Sequence, residues 1–138
     1  MSIETEAIDF ILDWTRVHTY YTQTLCNKVY TQNNPKIDLE DVYHACDSLL
    51  REQENVFYYY RNLLTQGQWK LLKSIAKEDE VHQPTGFDFI STYNLGNPAS
   101  VKRSLESLIN KEMVIRKEDE NGNYYQVYDC FLSRWLER

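Results

Sequence analysis

Five basic residues stand within "NPASVKRSLESLINKEMVIRK", Asn97 to Lys117: Lys102, Arg103, Lys111, Arg116 and Lys117. Interleaved with Ser100, Ser104 and Ser107 at helical spacing, they have the chemistry of a helix that reads a DNA groove, since Lys and Arg contact phosphates and guanine edges. Only Glu106 and Glu112 oppose them in that stretch. The next residues change the balance, because Glu118, Asp119 and Glu120 in "KEDENGN" cancel the surplus of three. Three carboxylates on a loop that approaches a phosphate backbone are repelled by it. The local charge therefore favours a protein-facing helix, with Ser100, Lys102, Arg103, Ser107, Lys111, Arg116 and Lys117 as the partner-binding candidates and DNA as the alternative ligand.

Other reactive residue types form no constellation. His18, His44 and His82 stand in different segments without the orienting partner that a general base needs. His44 and Cys46 are one residue apart and have no second pair at zinc-finger spacing, so no metal site is expected. Cys26, Cys46 and Cys130 are an odd count without a CxxC pair, which suits reduced, buried thiols in a cytoplasmic protein. "VFYYYR" places Tyr58, Tyr59 and Tyr60 in succession on a helix. At about 100° per residue they cannot share one core, and exposed Tyr beside Arg is the composition of an interface. The repeated tetrapeptide "KEDE", Lys77 to Glu80 and Lys117 to Glu120, has the look of solvated surface.

The elements that would position these residues are mostly helical. The 138-residue chain has 42% apolar and 26% charged residues, a formal charge of −6, eleven Tyr and only four Gly. That is the balance of a folded globular chain with few tight turns. No apolar run has the roughly 18 residues of a membrane helix, and "MSIETEAIDF" lacks the basic start of a signal peptide. Ala7, Ile8, Ile11, Leu12 and Trp14 form one helical stripe; Tyr21, Leu25, Cys26 and Val29 form a second. After the breaker "TQNNPKID", with Asp38 as a helix cap, apolar residues recur from Leu39 to Leu64 as one long helix or two abutting ones. Nothing in this half has the pattern of a strand.

A second unit opens at Thr65, where "TQGQ" is a capping box ahead of Trp69, Leu71, Leu72, Ile75 and Ala76. Phe87, Phe89, Ile90 and Tyr93 mark a short helix, and Asn97-Pro98 starts a third that buries Val101, Leu105, Leu108 and Ile109. "MVIRKEDENGNYYQVYD" is strand, Asn-Gly turn, strand. "CFLSRWLER" adds a last helical turn or two that packs Phe131, Leu132 and Trp135. The fold expected is mostly α: a helical lid-like region over about residues 1–64, then a winged helix-turn-helix with a two-stranded wing over about 65–138.

"LTQGQWKLLKSIA", "NGNYYQVYD" and "FLSRWL" together resemble the C-terminal winged helix of bacterial and archaeal P-loop ATPases of the archaeal type, relatives of AAA+ and STAND proteins. "VHTYYTQTLCNKVY" is similar to the "G-H-P-x-Y-x-Q-x-L" that opens their helical lid, with Val17 and Thr19 where those chains have Gly and Pro. The resemblance spans nearly the whole chain and implies that His18 faces a nucleotide. It also implies that the partner is a P-loop domain of the same protein or of a neighbouring subunit, with ATP and Mg bound there. This chain has no GxxxxGK[ST] and no strand ending in a Walker B carboxylate, so it holds no cofactor and cannot hydrolyse ATP alone. The function expected is a non-catalytic regulatory and interaction module of such an ATPase, either cut from a longer chain or a stand-alone remnant. The alternative is a stand-alone DNA-binding regulator.

Overall fold

Apolar residues three and four apart build α1 (Thr5–Trp14) and α2 (Thr19–Tyr30), which bury Ala7, Ile11 and Trp14 and then Leu25 and Val29. The structure is a computed structural model and describes residues 2–138. It divides into two compact units, one reaching to Val56 and the other running from Phe57 to Arg138. In the first, α1 and α2 meet at a tight corner where Arg16 and Val17 have φ of 57° and 54°. The fully buried Thr15 closes that corner: its Oγ1 donates to the Ile11 carbonyl at 2.7 Å and meets Thr22 Oγ1 at 2.8 Å. A β-branched residue in the left-handed region costs about 1–2 kcal/mol, and Val17 is 71% exposed, so side-chain packing does little to offset it.

The first unit does contain strands, contrary to its helical periodicity. β1 (Ser2–Ile3) pairs in parallel with β2 (Lys36–Ile37). Two residues are too few for an alternating pattern to show in a sequence. Asp38 then caps α3 (Leu39–Asn62) reciprocally, for Asp41 N donates to Asp38 Oδ1 and Asp38 N to Asp41 Oδ2, each at 3.0 Å. α3 is one helix. Val42, Ala45, Cys46, Leu49 and Leu50 are its core residues in the first unit.

The second unit opens with the end of α3, eight residues before the capping box at Thr65. Phe57, Tyr58 and Trp69 place their rings 5.3, 5.2 and 6.2 Å from Trp135, which ties that helical end into the unit. α4 (Gln66–Glu78) has the expected capping box: Gln68 N donates to Thr65 Oγ1, and Thr65 N to Gln68 Oε1, at 3.1 Å each. Its buried face (Leu71, Leu72, Ile75, Ala76) packs against α6 (Pro98–Asn110), α7 (Cys130–Leu136) and β4 (Gly122–Val127). α5 (Phe87–Tyr93) buries Phe89 and Ile90. α6 buries Val101, Leu105 and Leu108, and ends without glycine because Glu112 takes φ 60°. Met113 N then donates to the Leu108 carbonyl and Glu112 N to that of Ile109, each at 3.0 Å, which satisfies the last free carbonyls.

β3 (Val114–Asp119) and β4 form the antiparallel wing, with Val114 opposite Val127 and Asp119 opposite Gly122. The Asn-Gly signal is shifted by one place. Glu120 and Asn121 make the turn, and Gly122 follows at φ 105°. Asp119 Oδ1 accepts from Asn121 N at 2.8 Å and steadies it. A third strand position joins this sheet at Val81, which exchanges both backbone hydrogen bonds with Tyr125 at 3.0 and 2.8 Å. Three helices, a strand position between the first two, and a terminal hairpin constitute a winged helix, as expected.

The two positive-φ positions predict opposite outcomes. Val17→Gly should raise stability by about 1 kcal/mol by relieving the left-handed cost. Gly122→Ala should lower it by roughly 1–3 kcal/mol through backbone strain alone, since nothing lies within 4 Å of the added Cβ. Urea midpoints at constant slope measure both.

Candidate functional site

Asn97 starts α6 by accepting from Ser100 N at 2.8 Å, with Pro98 at the first helical position. With Val101, Leu105 and Leu108 inward, the helical rotation of about 100° per residue turns Arg103 and Asn110 outward. Lys102 and Lys111, nine residues apart, fall on opposite flanks. Lys102 lines a cavity of about 630 Å³ together with Gln83 and Thr85 of the loop before α5 and Asn121, Asn123 and Tyr125 of the wing. Lys111 Nζ donates to Gln68 Oε1 at 3.3 Å, and Ser107 Oγ accepts from Gln68 Nε2 at 3.0 Å. Both are therefore held by the capping residue of α4. Ser100 is half-buried.

The wing splits its own two cations. Lys117 Nζ donates to Gln126 Oε1 at 3.3 Å, and the buried Gln126 donates in turn to Asp79 Oδ1 at 3.2 Å. Arg116, opposite Tyr125, is exposed on the other face of the hairpin. The seven candidates therefore do not share a face. Arg103 and Arg116 point to solvent and Lys102 borders a cavity, while Ser107, Lys111 and Lys117 are engaged within the domain. His18, the nucleotide-facing candidate, is the exposed N-cap residue of α2, with its ring 4.8 Å from that of Tyr21. Tyr58 and Tyr59 are exposed and Tyr60 is half-buried, so the run does present outward rings. Tyr58 stands edge-on to Trp135, and Arg61 lies 6.0 Å over the Trp69 ring.

Sequence patterning missed the acidic side of the domain. Glu78, Glu80, His82, Phe87 and Asp88 line a cleft of about 480 Å³ between the end of α4, the following loop and α5. Phe87 opens α5 and is 82% exposed. Tyr93 Oη donates to Glu78 Oε1 at 2.5 Å; desolvation first, and that carboxylate second, push the phenol up to about 12. His82 Nε2 meets Asp119 Oδ2 at 3.0 Å, and its ring lies 5.6 Å from Tyr124. The two "KEDE" tetrapeptides are thus more than solvated surface. The first supplies Glu78 to Tyr93 and Asp79 to Gln126, and the second supplies Asp119 to His82. The cleft is local in sequence, within residues 78–92, but no periodic pattern marks it because its residues span a helix end, a loop and the start of a short helix.

Charge is divided as unevenly as contact. From Phe57 to Arg138 eleven Lys and Arg balance eleven Asp and Glu, whereas the residues up to Val56 hold four against ten. All of the formal charge of −6 resides in the first unit. Among the described residues no helix is long and apolar enough to cross a membrane, and no group of three His, Cys, Asp or Glu is placed to hold a metal ion.

The family described as Probable winged helix domain matches residues 55–138, more than half of the chain and nearly all of it the second unit. No curated protein and no solved structure matches the chain.

The His82 contact predicts a pH dependence. That hydrogen bond, the largest influence on Asp119, holds its carboxyl below the ordinary 3.8. A depressed carboxyl contributes stability above its unfolded pKa and loses it as pH falls through the lowered value. Asp119→Asn should therefore melt below the parent at pH 7, with the gap closing as the pH falls below 3.8. A gap that stays constant in thermal melts over that range would contradict the assignment.

Proposed function

The chain belongs to the Probable winged helix domain family, and on that premise we propose that its winged helix is a non-catalytic interaction module that faces protein rather than DNA. The observation that carries this reading is the placement of charge around α6. In a DNA-bound helix-turn-helix the first helix crosses the phosphate backbone, and helix N-termini contact phosphates. Here the corresponding start of α5 carries Asp88 beside Glu78 and Glu80, and the wing tip carries Glu118, Asp119 and Glu120. Carboxylates thus stand on both elements, the start of α5 and the wing, that border the Lys102 side of α6. With no net positive charge on the domain, counterion release, which supplies most non-specific affinity, would rest on its few exposed local cations such as Arg103 and Arg116.

The partner suggested by the sequence resemblance is a P-loop ATPase domain, in the same protein or in a neighbouring subunit, which would hold ATP and Mg. In that setting the module would pass on the nucleotide state by moving as a packed body, through contacts that differ between states. "FLSRWL" and "NGNYYQVYD" support the reading. The matched family's description names the fold and no ATPase. Tyr58 and Tyr59 supply exposed aromatic surface of the kind that anchors protein contacts.

The DNA-reading alternative draws on Arg103 and Arg116, both exposed. Anisotropy of labelled mixed-sequence duplexes separates the two. The protein-facing reading expects no binding at about 10 μM protein in low salt, where non-specific binders already saturate. Binding that weakens steeply with salt, and that Lys102→Glu with Arg103→Glu abolishes, would establish the alternative.

A further inference from the structure

The cleft beside α5 combines carboxylates with an exposed aromatic ring. Three carboxylates, Glu78, Glu80 and Asp88, border it, and no Lys or Arg lines it. His82, the one other titratable group on its rim, is engaged by Asp119. At the same opening stands Phe87, 82% exposed although its neighbours Phe89 and Ile90 are buried. Helical geometry did not require this, since α5 already places two apolar side chains in the core. An aromatic ring held in water next to uncompensated carboxylates, over a cavity of about 480 Å³, has a definite complement. The complement must be cationic, must tolerate contact with a ring face, and must accept more than one carboxylate.

We propose that this cleft docks an arginine-bearing segment of a partner protein, with the guanidinium stacked on Phe87 and hydrogen-bonded to the carboxylates of Glu80 and Asp88. Guanidinium is planar and weakly hydrated, and it offers a fork of donors, so it can stack and pair in one pose; an ammonium group can do only one of these well. Glu78, which already accepts from Tyr93, supplies charge rather than the primary hydrogen bond. Nucleic acid is excluded as the occupant by the carboxylates, and an exposed aromatic with a charged rim is the usual anatomy of a protein hot spot.

The proposal rests on the protein-facing reading of the domain and is tested so that the two can fail separately. The full chain, isotopically labelled, is titrated with a short Gly-Leu-Arg repeat peptide, its Lys-for-Arg and Glu-for-Arg counterparts, and a DNA duplex, with amide shifts followed by NMR. The Arg peptide should move the amides of Glu80 and of Gly86 to Asp88, and should bind several-fold tighter than the Lys peptide. Phe87→Ala should weaken it about tenfold; at an exposed site this change leaves the fold intact, which far-UV circular dichroism confirms. Asp88→Asn with Glu80→Gln should weaken it comparably. Shifts confined to the acidic first unit, equal affinity for the Lys peptide, or indifference to Phe87→Ala would overturn the proposal. Self-association of the free protein that Phe87→Ala abolishes would also overturn it, in favour of a second copy of the chain. Duplex DNA moving the amides of α6 would defeat the protein-facing reading itself, whereas silence from both DNA and peptide would defeat only the docking proposal.

Discussion

The two backbone hydrogen bonds between Val81 and Tyr125 join parts of the second unit that are more than forty residues apart in the chain. On one side of that bridge, Gln126 donates to Asp79; on the other, Asp119 meets His82. The wing is thereby fastened to the loop that leads into α5, and β4 becomes the middle strand of the small sheet. Buried Val81 cannot leave its backbone groups unpaired without a cost of one to a few kcal/mol on the order of a lost hydrogen bond, so the loop has little freedom to open. The cleft, the exposure of Phe87 and the cavity beside Lys102 all inherit their form from this attachment.

Gln68 illustrates how the same domain uses up its recognition chemistry. Its backbone and side chain complete the capping box with Thr65, and the same side chain donates to Ser107 while accepting from Lys111. A residue that secures the start of α4 therefore also orients one flank of α6. Two of the groups that would serve a groove-reading helix are spent on packing α4 against α6. Lys117 is spent likewise on Gln126. What remains outward is sparse in cations and bordered by carboxylates on one side, and the protein-facing proposal rests on that imbalance.

Local features were the legible ones. Thr65 with Gln68, the cap at Asp38, and Asn97 with Pro98 act within three residues, and each stands in the structure where the sequence places it. The buried residues of α4 and α6 follow from the same short-range logic. The strand pair Ser2–Ile3 and Lys36–Ile37 and the single bridge at Val81 were not legible, because each depends on a distant partner and is too short to impose a period. The wing was legible but its turn was displaced: the positive φ belongs to Gly122, after the turn, and Asn121 is held by the Asp119 side chain instead. α5 defeats periodicity for a different reason. Seven residues make two turns, so Phe87, Phe89, Ile90 and Tyr93 could be drawn onto more than one face until the neighbouring elements decide which is covered. The winged helix itself is legible in the pattern of three helices and a hairpin, and the family match over residues 55–138 describes that same fold.

The segregation of charge has a kinetic consequence. Coulomb attraction acts over roughly a Debye length, about 8 Å at physiological salt, and sets how often partners meet. A winged helix with balanced charge exerts little of that long-range pull, while the first unit, with all of the net negative charge, exerts most of it. For a cationic partner of the kind proposed above, encounter frequency would depend on the charged first unit and residence time on short-range contacts at the cleft. Added salt should slow such association far more than it hastens dissociation.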